Sequence, residues 1–402
     1  MAKVTLPLEG IRVLEVAGFP GTWATGLLAD FGADVIKIIR APLLPLRFGM
    51  RGVVPLDSPE EQIKSTAFNS YDRNKRSIAL NLKNRDTREV FHRLVEKSDV
   101  VVEGYRPGVA KRLGIDYDTL RKINPRIVYC AITGYGQDGP YREMVGHDIN
   151  YIAIAGVLNL TGKRDNPPIM PGTQVGDLGG GGSQAIIGIL LALMAREKTG
   201  EGQFVDISMT DGVISWMMEY ASEYFTQGFL PEREGTAPTG AEPWNNVYET
   251  KDKKYISIGC WEPWLYENLC RALGRDDLIP YQHATGKVRA KILSTFREIF
   301  RTKTRDEWFH GLKDKDICVA PVYSFDEVFR DPQVVHRNML VEVEHPTLGK
   351  VKQIGVSIKL RETPGGIRNL APLPGQDTEQ ILQELGYSKK HIDQMRKEGG
   401  IA

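Results

Sequence analysis

Cysteine, net charge and long apolar runs are all scarce in this sequence. The four cysteines, Cys130, Cys260, Cys270 and Cys318, include no C-x-x-C pair, which argues against a zinc site and favours reduced, buried thiols. The formal net charge is +1, so no global attraction to nucleic acid or to a membrane is expected. The longest apolar run, residues 185–195, is too short for a membrane span and predicts a buried helix, and no signal peptide pattern is seen. We therefore expect a cytoplasmic globular protein without a metal ion.

A dinucleotide-binding fingerprint is missing as well. The first predicted strand, residues 11–17, is followed by Gly18-Phe19-Pro20-Gly21 and not by G-x-G-x-x-G. The second predicted strand, residues 34–39, is followed by Arg40, where a nicotinamide enzyme would place an acidic residue. A guanidinium there suits a phosphate on a ribose, as in the 3′-phospho-ADP of coenzyme A, although a solvated surface arginine is the alternative. The sequence thus disfavours a nicotinamide oxidoreductase.

The alternation of strands and helices indicates the fold class. Strand patterns at residues 99–102 and 126–132 continue the rhythm, with helices between them, which predicts an α/β, doubly wound, Rossmann-like sheet. We predict a large α/β domain, a linker and a smaller α+β domain, over residues 1–225 (completed by 326–402), 226–245 and 246–325 respectively.

Basic residues recur where predicted strands end. Arg106 follows the strand at 99–102 within Glu103-Gly104-Tyr105-Arg106-Pro107-Gly108, and Arg112 comes shortly after it. Ligands of open α/β sheets bind outside the carboxyl ends of the strands, so Arg106 is a candidate for an anionic ligand. Arg73, Lys75 and Arg76 are also expected at loop positions, where solvation alone would explain the lysine.

Three further side chains are candidates for chemistry. Asp177 precedes four glycines, Gly179 to Gly182, ahead of a helix predicted from Ser183. Consecutive glycines indicate close approach of backbone or ligand, although a turn or helix-cap aspartate is the alternative. His147 lies in a polar GHDINY segment and Glu262 between two tryptophans, where a satisfied surface histidine and a helix-start residue would be the plain interpretations.

Many segments, in order, resemble one enzyme superfamily. They are PLEGIRVLEVAG, LLADFGADVIKI, RNKRSIALNLK, EGYRPGV, NPRIVYCAITGYGQDGPY, GHDINY, VGDLGGGG and REKTGEGQFVDISMTDG, which cover most of residues 7–212. Together they are similar to the family III CoA-transferases and α-methylacyl-CoA racemases (CaiB/BaiF type). The resemblance implies an interlocked homodimer, with each site between the large domain of one subunit and the small domain of the other.

The same resemblance implies roles for the candidates. Asp177 corresponds to the active carboxylate of the superfamily, and His147 with Glu262 corresponds to the racemase His–Glu pair. Arg40, Arg106 and Arg112 correspond to arginines at the coenzyme.

Asp148 and Tyr151 of the GHDINY segment are predicted as further coenzyme contacts. No cofactor is expected beyond coenzyme A as part of the substrate.

Two reactions fit these residues. A racemase needs an acid/base group on each face of the α-carbon, and His147 and Asp177 suit those roles, with backbone N–H groups of residues 179–183 as a hypothetical site for the enolate oxygen. A transferase needs the nucleophilic carboxylate and a pocket for a free carboxylic acid. The stretch at 58–77 resembles the transferases, and Trp264 replaces a racemase glutamine. Because all three catalytic candidates are present, we favour racemisation of a 2-methyl-branched acyl-CoA, with CoA transfer as the alternative.

Overall fold

The computed structural model describes residues 5–43, 46–49, 52–55 and 58–402. The chain forms two compact units. The first unit comprises the residues up to 155 together with 173–216 and 332–402, and the second comprises 156–172 and 217–331.

A six-stranded parallel sheet forms the centre of the first unit. Its strands are joined in the order β5-β2-β1-β6-β7-β8, and β3 pairs with β4 in a separate antiparallel hairpin. This order is that of a doubly wound dinucleotide fold, with the switch point between β1 and β6, and it confirms the predicted fold class. The strands are β1 (Arg12–Val16), β2 (Asp34–Arg40), β3 (Leu46–Gly49), β4 (Gly52–Pro55), β5 (Arg76–Leu80), β6 (Val100–Glu103), β7 (Val128–Thr133) and β8 (Phe204–Ser208).

Helices cover both faces of this sheet. Since neighbouring strand residues point to opposite faces, Leu14 belongs to one apolar cluster and Val13 to a second one on the other side. The helices of this part are α1 (Phe19–Asp30), α2 (Pro59–Ala67), α3 (Arg85–Val95), α4 (Val109–Leu113), α5 (Tyr117–Ile123), α6 (Asp148–Ile154), α7 (Gln184–Thr199) and α8 (Met209–Ile214).

The second unit has a small antiparallel sheet in the order β11-β10-β9, packed by helices around aromatic side chains such as Tyr248, Phe296 and Phe300. Residues 156–172 belong here because the Arg233 guanidinium donates to the carbonyl oxygens of Asn159 (2.9 Å) and Lys163 (3.1 Å). The elements are β9 (Asn245–Glu249), β10 (Tyr255–Gly259), β11 (Val319–Val322), α9 (Met218–Gln227), α10 (Pro263–Ala272), α11 (Gly286–Phe300), α12 (Arg305–Leu312) and α13 (Phe325–Val328), with short 3-10 turns at 157–160, 237–239 and 276–281.

The C-terminal segment returns to the first unit and closes the edge of its sheet. The Asp377 carboxylate accepts from the Ser77 N–H (2.8 Å), and Ile401 forms a bridge to Leu80 of β5. An edge strand would otherwise present unpaired N–H and C=O groups. The elements of this segment are α14 (Pro332–His336), β12 (Leu340–His345), β13 (Gly349–Ile354), α15 (Thr378–Glu384) and α16 (Lys389–Lys397).

Helix α7 departs from the sequence prediction of a buried helix. Ile189 and Ala192 are buried, but Leu191 is 61% exposed and Met194 64% exposed, so one apolar side of α7 is uncovered in the single chain. By length and composition alone, the stretch Val175–Thr199 is the one described helix apolar enough to cross a membrane. A single such helix is weak evidence for a membrane span, because core helices pass the same test.

Candidate functional site

Asp177 lies in a π-helix that begins well before the helix start predicted at Ser183. The π-helix spans Val175–Ser183 and continues directly into α7, so Asp177 occupies its first turn. A π-helix pairs each N–H with the carbonyl oxygen five residues earlier. The N–H groups of residues 180–183 are therefore used within the helix, which argues against them as donors to an enolate oxygen. The enolate site stays a prediction for the Gly179 N–H.

Space, and not backbone conformation, explains the four glycines of this helix. A Cβ atom on Gly180 would lie 2.3 Å from the Met209 carbonyl oxygen, and one on Gly179 would lie 1.8 Å from the Trp216 ring. On Gly182 it would meet the Trp23 ring at 2.6 Å. The consecutive glycines were predicted to allow a close approach of backbone or ligand. They are explained by the close approach of protein atoms, among them the Met209 backbone.

The carboxyl group of Asp177 is partly buried and lies beside another acid. Burial raises its pKa to about 6, the nearby Asp148 carboxylate raises it too, and His147 opposes both. Asp148 also accepts a hydrogen bond from the Asp177 backbone N–H (2.9 Å), which caps the start of the π-helix. Asp177 therefore titrates close to neutral pH, where it can both accept and return a proton.

His147, just before α6, and Tyr151, within it, lie near enough to the Asp177 carboxyl group to interact with its charge. His147 is exposed and immediately precedes the helix, and its backbone N–H donates to the Asn150 side chain (3.0 Å). The Tyr151 hydroxyl donates to the Gly146 carbonyl oxygen. Burial and then Asp177 raise the pKa of Tyr151 to about 12, and Arg106 opposes them. Asp177, Tyr151 and Arg106 therefore share one neighbourhood.

The predicted arginines surround the loop after β6. Arg106 and Arg112 are exposed and line an open pocket of about 530 Å³ together with Tyr105 and Glu143. Arg40, exposed at the end of β2, is near enough to Tyr105 to oppose the rise in its pKa caused by burial and Glu103. Three cationic side chains thus collect at the carboxyl ends of β2 and β6, where an open α/β sheet binds anions.

The other basic candidates hold the fold together. Arg73 is paired with Asp30 (2.7 Å) and Lys75 with Glu15 (2.7 Å), and the side chains of both pairs are almost fully buried. Arg76 begins β5 and is paired with Asp34 (2.7 Å). The expected loop positions are confirmed for Arg73 and Lys75, which lie in the turn before β5, and wrong for Arg76, which begins that strand. Solvation does not explain Lys75, because its ammonium group is buried against the Glu15 carboxylate.

Two polar residues next to the candidates were not predicted. Glu103, buried at the end of β6, accepts from the Tyr105 N–H (2.7 Å), and burial raises its pKa to about 7. Gln174 donates from Nε2 to Oδ2 of Asp177 (3.3 Å). Glu103 could have been found in the sequence, because it is an acidic residue at the end of a predicted strand. The contact of Gln174 with Asp177 could not, because it depends on the π-helix that follows Gln174.

Glu262 is exposed and immediately precedes α10 in the second unit, and it makes no capping hydrogen bond with its side chain. Trp264 beside it is 58% exposed. The Trp261 indole is held by donation to the Asn245 side-chain oxygen (3.2 Å). The Glu262 carboxylate can therefore accept a hydrogen bond. It lies between the Trp261 indole, which is held by Asn245, and the exposed Trp264 indole.

A family model for CoA-transferase family III matches residues 8–378. The chain belongs to this family. This match confirms the resemblance seen in the sequence. The expectation of an enzyme is confirmed too, because proteins similar to this chain are named as CoA-transferases and as racemases.

Individual members of family III are similar over nearly their whole length. The β subunit of succinyl-CoA–L-malate CoA-transferase from Chloroflexus aurantiacus is 34% identical, covering 98% of this chain and 97% of its own. Human α-methylacyl-CoA racemase is 31% identical, covering 98% and 97% respectively. A crystal structure of a CaiB/BaiF family protein from Brucella suis superposes with a TM-score of 0.78 at 28% identity, covering 95% of this chain and 100% of that one.

Proposed function

We propose that this family III member racemises the α-carbon of a 2-methyl-branched acyl-CoA by two-sided proton transfer. The observation that carries the proposal is an Asp177 carboxyl group whose pKa is raised to about 6, with the His147 imidazole close enough to affect it. A carboxyl group with this pKa can exchange a proton near neutral pH, and histidine is the side chain used most often as a general acid or base. General acid–base catalysis is most effective when the pKa lies near the working pH.

The proposed reaction uses one group on each side of the α-carbon. One group removes the α-proton, the electron pair of the C–H bond moves toward the thioester oxygen, and the other group returns a proton to the opposite face. We assign these roles to His147 and Asp177, with Glu262 orienting the imidazole as the family resemblance implies. Arg40, Arg106 and Arg112 are assigned to the phosphates of the coenzyme, and Asp148 and Tyr151 to its further contacts.

CoA transfer between carboxylic acids is the second candidate. It is favoured by the 34% identity to a protein named succinyl-CoA–L-malate CoA-transferase. In that reaction the Asp177 carboxylate attacks the thioester carbonyl and displaces the CoA thiolate, which forms a mixed anhydride. The thiolate then attacks the Asp177 carbonyl carbon and releases the donor acid, and the new thioester passes CoA to an acceptor acid.

His147→Ala separates the two candidates, whereas Asp177→Asn is expected to abolish either activity. For a racemase, α-deuterium exchange of 2-methylacyl-CoA in deuterated water is expected to fall by about 10² to 10⁴, the range for a lost acid or base. Binding of CoA should stay close to normal in the same variant. For a transferase, the variant would still form an acyl-enzyme that hydroxylamine traps. Wild-type protein that moves CoA between acids without any α-exchange would overturn the racemase proposal.

We further infer a cytoplasmic homodimer of the interlocked type that the resemblance implies. The uncovered apolar side of α7, with Ile187, Leu191 and Met194, supports a second copy as its cover. Three of the four cysteines are buried and all four are free, which fits a reducing compartment. A stable monomer at micromolar concentration, measured by light scattering, would contradict the dimer.

A further inference from the structure

Gln174 contacts the candidate catalytic carboxyl group directly. It precedes the π-helix, and its carbonyl oxygen accepts from the Leu178 N–H (3.0 Å), which holds its backbone against the first turn. Its side-chain Nε2 donates to Oδ2 of Asp177 at 3.3 Å. A side-chain amide carries two N–H donors and does not titrate, so it can keep this bond in every protonation state of the acid.

The two oxygens of Asp177 are not equivalent as a result. In the part of the chain that the structure describes, Oδ2 has the Gln174 amide and Oδ1 has no hydrogen-bond donor. Hydrogen bonding to a carboxylate stabilises its charged form and makes the bonded oxygen a poorer proton acceptor. The unbonded oxygen, Oδ1, is therefore the more basic and more nucleophilic of the two.

We propose that Gln174 is a positioning residue for the reaction, which holds Oδ2 of Asp177 so that Oδ1 is the oxygen presented to the acyl thioester. The inference rests on the proposed role of Asp177 in acyl-CoA chemistry, and it applies equally to proton transfer and to CoA transfer. In proton transfer, Oδ1 takes and returns the proton while Oδ2 remains a carbonyl-type acceptor. In CoA transfer, Oδ1 forms the bond to the acyl carbon and Oδ2 becomes the carbonyl oxygen of the anhydride.

The other charged groups that face Asp177 come from the segment around α6 and stay in place when Gln174 is changed. The Asp148 carboxylate raises the pKa of Asp177 and His147 lowers it. Loss of the Gln174 amide removes a donor that favours the ionised form, so the pKa of Asp177 should rise further. At 3.3 Å the bond is long, and we expect the rise to be about 0.5–1 pH unit.

Carbodiimide labelling of the free protein tests this without any assumption about the reaction. A protonated carboxyl group reacts with the carbodiimide, since its oxygen bonds to the central carbon and its proton passes to a nitrogen of the reagent. Mass spectrometry of the peptide that contains Asp177 gives the labelling rate at each pH. Gln174→Leu is expected to move the midpoint upward by about 0.5–1 pH unit, and Gln174→Glu to move it further because a second carboxylate is added. The neighbouring Thr173→Val, at an exposed position, is the matched control and should leave the midpoint unchanged. A change in access alone would alter the rate at every pH and leave the midpoint in place.

Activity supplies the second readout. Gln174→Leu is expected to lower kcat about 3- to 10-fold with little change in KM for the acyl-CoA, because Gln174 is not among the residues that line the pocket of Arg106 and Arg112. An unchanged midpoint in both Gln174→Leu and Gln174→Glu, with both variants folded, would overturn the proposal. If Gln174→Leu does not fold, Gln174→Glu alone decides the matter. If the wild-type protein is inactive on acyl-CoA, the proposed function is refuted. The labelling result would still show whether Gln174 affects the pKa of Asp177.

Discussion

Replacing Lys75 by methionine tests how far the first unit depends on one buried ion pair. The Lys75 ammonium group donates to Glu15 Oε2 (2.7 Å), to the Thr22 carbonyl oxygen (2.9 Å) and to Asp72 Oδ1 (3.1 Å). Both Lys75 and Glu15 have 0% side-chain exposure. Removing one partner of a buried pair typically costs about 3–5 kcal/mol, because the other charge is left without compensation. Glu15 keeps two hydroxyl donors and a more distant Lys37, so we expect about 3 kcal/mol.

Hydrogen exchange measured by mass spectrometry is the appropriate assay, because it reports the opening of the first unit separately. A loss of about 3 kcal/mol corresponds to roughly 10²-fold faster exchange for peptides from β1, α1 and β5. Peptides from the second unit should be unaffected. Lys253→Met, which removes an exposed ion pair of 3.4 Å with Glu249, is the matched control and should change little.

The stability lost in Lys75→Met should change with pH in a defined direction. Burial alone would raise the pKa of Glu15, but Lys75 and Lys37 outweigh it and lower the pKa from its ordinary value of 4.5. In the wild type, Glu15 therefore stabilises the fold above this pH, and that contribution is lost as the pH falls. With Lys75 removed, the pKa of Glu15 should rise, so the deficit of the variant should shrink as the pH falls from 8 to 5. Exchange within a few-fold of wild type at pH 8, or a deficit that grows on acidification, would refute this reasoning.

Two further predictions concern the site. Arg106→Ala is expected to weaken acyl-CoA binding, measured by calorimetry, by about 1–3 kcal/mol through a lost charge-assisted bond, whereas the exposed Arg126→Ala should have no effect. Equal wild-type affinity for CoA and dephospho-CoA would contradict the role given to Arg40. Gly180→Ala would place a methyl carbon 2.3 Å from the Met209 carbonyl oxygen and should lower the free energy of unfolding in urea by about 1–3 kcal/mol. Gly172→Ala, with no atom within 4 Å, should be nearly neutral, and equal effects would contradict the packing argument.

Much of the fold could be predicted because its signals are local. The strand predicted at residues 34–39 begins where β2 begins and ends one residue before it, and the strand predicted at 99–102 is one residue out of step with β6. Strand β5 was missed because its neighbours Arg73 and Lys75 suggested a solvated loop. Their partners, Asp30 and Glu15, lie 43 and 60 residues away in the sequence, so no local pattern reveals them.

The candidate site was predicted in its residues but not in its backbone. Asp177, His147 and Arg106 were named from motifs and from the family resemblance, and the structure places Asp177 and His147 together. Four consecutive glycines favour a loop by propensity, whereas packing against Trp216 and the Met209 carbonyl makes them a π-helix. The partner of Oδ2 in Asp177 could be found only once that helix was known.

The return of residues 332–402 to the first unit has a consequence for synthesis on the ribosome. Every residue of the second unit lies before position 332, so that unit can fold while the chain is still being made. The first unit contains the arginines and Asp177, yet its edge strand β5 receives its last partner from Ile401. A nascent chain therefore carries all of the candidate catalytic residues for a period in which the sheet of the first unit is still open at its β5 edge.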